Sequence, residues 1–109
     1  MRRLLSRPVD EVATVLTDVA FDPSLPWQKA RSVALRPEPF GALAYHFGNR
    51  KLSFLKSRTL VAVVEALATH PSAEATLAAC AVPDGQRPAY VKALADLARS
   101  QMIEPRETP

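Results

Sequence analysis

Cysteine is almost missing from this chain: Cys80 stands alone among 109 residues. No internal disulfide is possible, and a thiolate-held cluster is excluded. Cys80 itself reads as a small buried hydrophobe on an alanine-rich helix. Glycine is nearly as scarce, with three in the whole chain, so there is no Gly-rich phosphate loop, and no serine sits in a nucleophile elbow. His46 and His70 are far apart, lack metal-ligand spacing and have no carboxylate cluster nearby. The acids are scattered, which leaves nothing to perform general acid–base catalysis. No apolar run approaches the roughly eighteen residues of a membrane span. The basic opening "MRRLLSRP" is followed by Asp10 and Glu11, not by the uncharged run of a secretory signal, and a transit peptide would be poor in acids. These absences predict a cytoplasmic, non-catalytic binding module without metal, flavin or nucleotide cofactor.

What is present is enough apolar residue, 48%, to close one small core. Residues 9–20 read as an amphipathic helix, with Val9, Val12, Leu16 and Val19 spaced by three and four and Pro8 at its first turn. "FDPSLP" then breaks the chain. "SVALR", "FGALAYHF" and "LSFL" read as three strands, with Gly48 and Asn49 turning the second into the third. Pro37 and Pro39 bracket Glu38 and are expected to force a turn or bulge that ends the first strand. Phe40 is expected in the core. In the second strand Leu43, Tyr45 and Phe47 take one face, and Ala42, Ala44 and His46 the other. In the third, Leu52 and Phe54 share a face opposite Ser53 and Leu55. Three helices follow. Ser57 caps the first, whose apolar positions are Leu60, Val63, Val64 and Leu67, and Ser72 caps a short second one. Pro88 opens the third, with Val91, Leu94 and Leu97 as its buried stripe. "EPRETP" reads as a frayed tail.

The expected fold is therefore α+β: a three-stranded antiparallel sheet followed by three helices, winged-helix-like, with an additional N-terminal helical segment. Residues 1–26 form an arm, residues 27–104 the domain and residues 105–109 a tail. Between Gln28 and Arg58 there are seven Lys or Arg and one acid, Glu38. Such a face suits phosphate or an acidic peptide. Two binding modes fit. The third helix can enter a DNA major groove, exposing Lys92, Asp96 and Arg99, although it lacks the Arg/Asn/Gln-rich surface that reads bases. Alternatively, an extended peptide can add a strand to the open edge of the sheet, guided by Lys51, Lys56 and Arg58.

The run "LRPEPFGALAYHFGNRKLSFLKS", followed by "LVAVVEALATHPSAEATLAACAVP", resembles the mycofactocin-system peptide chaperones, which belong to the PqqD-like recognition elements of ribosomally made, modified peptides. The resemblance covers roughly residues 27–103. It implies a winged-helix-like arrangement that binds no nucleic acid and no membrane. It also implies a partner, the leader of the mycofactocin precursor peptide, presented to a radical SAM maturase that brings the iron–sulfur chemistry. In that family the leader lies along the third strand and against the third helix. Carried over, the strand is Lys51, Leu52, Ser53, Phe54, Leu55 and Lys56, and the helix positions are Tyr90, Val91 and Leu94. Arg36 and Glu38 either bind each other or contact the maturase.

Overall fold

The computed structural model describes residues 21–106; the helix expected over residues 9–20 lies outside them. In chain order the elements are β1 (Trp27–Lys29), β2 (Val33–Glu38), β3 (Gly41–His46), β4 (Leu52–Leu55), α1 (Arg58–Ala66), α2 (Ala73–Ala79), α3 (Arg87–Arg99) and β5 (Ile103–Pro105). Short 3-10 turns stand at Leu67–Thr69 and Asp84–Gln86. Strands β2, β3 and β4 form an antiparallel meander in that order, and β1 pairs with β5 in a separate two-stranded ribbon. The architecture is the expected α+β one, with three sheet strands followed by three helices.

Alternation decides which side chains reach the core. Val33, Ala42, Ala44 and Leu55 are buried on one face of the meander, beneath Val63, Val64, Leu67, Leu77 and Leu94 of the helical layer. Ala42 and Ala44 carry almost no side chain, which gives the helices room to close over the sheet. The other face holds Arg36 opposite Leu43, Leu43 opposite Phe54, and Tyr45 opposite Leu52. Phe40 belongs to this outer side: it is 43% exposed and meets Phe54 edge to face, so it is not the core residue expected from sequence. Gly41 has φ +151°, and a Cβ there would fall 2.0 Å from the Leu55 carbonyl oxygen. Only glycine lets β3 pass that close to β4.

The serines expected to cap α1 and α2 do so, Pro88 stands in the first turn of α3, and the helical unit after β4 ends at His70 before Pro71. Ser57 Oγ accepts from the Leu60 N–H at 2.9 Å, and Ser72 Oγ from the Ala75 N–H at 3.0 Å. At the other ends α2 and α3 each close in a Schellman arrangement. The Val82 N–H donates to Leu77 O and the Met102 N–H to Leu97 O. The left-handed positions, usually glycine, are Ala81 (φ 61°) and Gln101 (φ 66°). Val82 and Met102 then fold back into the core, each 2% exposed.

Two expected boundaries move. Residues 105 and 106 are not frayed: Pro105 stands opposite Trp27 in the β1–β5 ribbon, and the Arg106 N–H donates to Pro26 O at 3.1 Å. The Arg106 guanidinium also donates to the carbonyls of Trp27, Leu67 and His70, closing the end of the first helical unit. At the front, the core starts before residue 27. Phe21 is buried against Trp27, with ring centroids 4.8 Å apart, and the Trp27 indole N–H donates to Asp22 O at 2.9 Å. The Ser24 hydroxyl and N–H both donate to the Asp22 carboxylate, which holds its pKa below the ordinary carboxylate value.

Candidate functional site

Hydrogen bonds at the strand ends fix which backbone groups face outward. The His46 N–H donates to Lys51 O, and the Phe47 N–H donates to Ser32 O. In an antiparallel ladder, residues alternate between bonding one neighbour and facing away from it. Lys51, Ser53 and Leu55 therefore turn their backbone toward β3, whereas Leu52 and Phe54 present N–H and C=O to the free edge of β4. On β2, by the same phase, residues 33, 35 and 37 face away from β3. The Val33 N–H is already donated to Ala30 O, and Pro37 has none. The two edges of the meander are thus unequal: β4 offers two free N–H groups, and β2 offers only that of Leu35. Pro37 does not end β2, which runs on to Glu38; it sits where a missing N–H breaks no ladder bond.

Beside the free edge of β4 lies a groove of about 310 Å³ whose other wall is α3. Ala93, Asp96, Leu97 and Ser100 line that wall, at the three- and four-residue spacing of one helix face. Leu55 and Leu60 close its apolar base. Polar contacts tie the strand to the helix at both ends. The Asn49 side-chain amide donates to Ser100 O at 3.4 Å and to Gln101 Oε1 at 3.1 Å. At the far end Ser57 Oγ and the Tyr90 hydroxyl are 3.5 Å apart. Since the start of β4 lies by the end of α3, and its end by the start of α3, strand and helix run antiparallel. The β3–β4 turn is held by His46 Nδ1, which accepts from the N–H groups of Gly48 and Asn49.

The residues expected to hold a peptide are only partly brought together. Leu52, Ser53, Phe54 and Leu55 all line the groove. Lys51 and Lys56 flank it, exposed, and pair with no carboxylate among the described residues. Leu94 is elsewhere: it is fully buried in the core, and Val91 packs against that core. Tyr90 stands at the groove's end through its hydroxyl. The helix face that does line the groove, Ala93, Asp96, Leu97 and Ser100, is one turn on. Of this face only Leu97 falls on the expected apolar stripe; Ala93 and Ser100 are small and Asp96 is charged, so hydrophobic periodicity does not pick out the rest. Arg36 and Glu38 bind each other, Nε to Oε2, at 2.8 Å.

Chemically, this arrangement sets unpaired backbone groups of β4 beside an apolar groove. Among the described residues no three His, Cys, Asp or Glu side chains gather to bind a metal ion, and no helix is long and apolar enough to cross a membrane. The charged face of α3 is internally satisfied. Lys92 and Arg99 both pair with Asp96.

The sequence profile of the Peptide chaperone MftB family matches residues 26–104. The chain belongs to that family. Peptide chaperone MftB of Mycolicibacterium smegmatis is 53% identical over 91 residues, which span 84% of this chain and 89% of the relative. Peptide chaperone MftB of Mycobacterium ulcerans is 50% identical over 107 residues, covering 98% and 97% of the two chains. The Mycobacterium tuberculosis protein of that name is 47% identical over 105 residues, 96% of each. No solved structure matches the chain. The matched MftB segment contains β1 to β4, all three helices and both walls of the groove.

Proposed function

We propose that this protein captures the leader of the mycofactocin precursor peptide as an added strand on β4, seated against α3, and presents it to a radical SAM maturase in the cytoplasm. It supplies no catalytic group. The observation that carries the reading is the groove, with two outward-facing backbone residues on one wall and a small-residue helix face on the other. Main-chain hydrogen bonds to Leu52 and Phe54 would supply affinity. Alternate leader side chains would enter between Leu55, Leu60 and Leu97 and supply selectivity. Lys51 and Lys56 would steer an acidic leader to the edge.

The test is a calorimetric titration of the full chain with the leader peptide, and with duplex DNA, across a salt series. Leader binding should persist at high salt because hydrogen bonding and apolar burial carry it, whereas phosphate contacts weaken steeply with log salt. Ala93→Trp, which fills the groove from the helix side, should lower leader affinity at least about tenfold with the far-UV spectrum unchanged. A wild-type protein that binds duplex DNA and ignores the leader rejects the proposal.

A further inference from the structure

The meander has a second surface, which shares only the edge strand β4 with the groove. Phe40, Leu43, Tyr45, Phe47, Leu52 and Phe54 cover its outer face, with no element of the described residues packed over them. Phe47, Leu52 and Phe54 are 60%, 57% and 61% exposed. Contiguous apolar surface of this kind marks an interaction site. Exposed cations border it at both ends of the strands. Arg31 and Arg50 stand at one end and Lys56 at the other, with Lys51 and Arg58 beyond them toward the helix side. None of the five pairs with a carboxylate among the described residues. The one acid on the face, Glu38, is neutralised by Arg36.

We infer that this outer face docks a second protein whose contact surface has an apolar centre ringed by carboxylates, and that the maturase of the proposed reading, on which this inference rests, supplies it. Charge complementarity selects that partner. A second copy of the chain, face to face, would set the uncompensated Arg31, Arg50 and Lys56 against the same three. Residues 1–20 carry as many basic as acidic side chains, so they do not complement the rim. The chain also reaches Phe21 on the helix side: Phe21 packs on Trp27, whose strand β1 lies against α1 and the following 3-10 turn. A single-stranded nucleic acid needs free ring faces to stack on. Here Phe40 meets Phe54 edge to face at 5.9 Å, Tyr45 meets Phe47 edge to face at 5.3 Å, and Leu43 and Leu52 stand among them. Leu52 and Phe54 serve both sites, with outward backbone groups at the groove and side chains on the face.

The test uses the full chain carrying Arg36→Glu and Phe47→Ser together, titrated separately with the leader peptide and with peptide-free maturase. Leader affinity should stay within about twofold, while maturase affinity falls tenfold or more. A second variant, Arg31→Glu with Arg50→Glu, alters charge alone and should slow maturase association mainly at low salt. Unchanged maturase affinity in both variants overturns the assignment. So does equal loss of leader and maturase affinity, and so does a wild-type dimer, or binding of a mixed-sequence RNA, that the variants abolish while maturase affinity is kept. Because the maturase titration contains no peptide, failure of the wild type to bind the leader sinks the groove reading without deciding the face.

Discussion

Individual residues carry backbone conformations that their neighbours dictate. Ala81 adopts φ 61° at the end of α2 because Val82 must turn inward to be buried. A non-glycine residue there bears a steric cost, so Ala81→Gly should raise stability by about 1 kcal/mol, read as a shifted urea midpoint at constant slope. Gly41 is the opposite case. Gly41→Ala drives a methyl into the Leu55 carbonyl and should cost on the order of 3 kcal/mol in the same measurement. Leu94→Ala should also cost about 3 kcal/mol, because its side chain is fully buried. If the groove reading is right, leader affinity of the folded Leu94→Ala fraction should change little.

At the scale of elements, β4 separates its structural bonds from its free ones residue by residue. The Ser53 N–H faces β3 and the Leu52 N–H faces the groove side. Ser53→Pro should therefore lower the melting temperature by several degrees. Leu52→Pro should leave it nearly unchanged and weaken leader binding about tenfold, the value of one lost main-chain hydrogen bond. Equal melting temperatures for the two variants would show that the ladder phase is wrong. Period-two alternation made both faces of β3 and β4 legible from sequence, and Ser57, Ser72 and Pro88 announced the helix starts. The end of α2 at Cys80 was legible from the loop after it; the end of α3 was not, because Gln101 gives no glycine signal. Nor was β5 legible: three residues containing a proline carry too little pattern, and their partner Trp27–Lys29 is as short.

For the whole molecule, those two short strands join the ends of the domain, and this moves its boundaries. A chain starting at residue 21 should unfold cooperatively. One starting at residue 27 loses Phe21 from the core, together with the bonds from the Ala73 and Glu74 N–H groups to Leu25 O and Pro23 O. It should be less stable by about 3 to 5 kcal/mol, measured by denaturant unfolding of the two truncations side by side. The candidate site was half legible for a related reason. Its strand wall follows alternation, whereas its helix wall exists only once β4 and α3 are brought together by contacts some fifty residues apart, such as Asn49 to Gln101.

The proline inside β2 has a consequence for assembly. A sheet with two usable edges can join head to tail without limit, since each added copy offers a fresh edge to the next. This sheet has a valence of one. With Pro37 at the outward position of β2, that edge keeps only the Leu35 N–H to donate, so the best-matched pairing of the meander with a second copy is β4 against β4, a two-fold contact that closes on itself. Growth stops at two. Restoring the N–H with Pro37→Thr should raise the valence to two and let a concentrated sample pass beyond the dimer, a change that sedimentation velocity would resolve as species heavier than two chains.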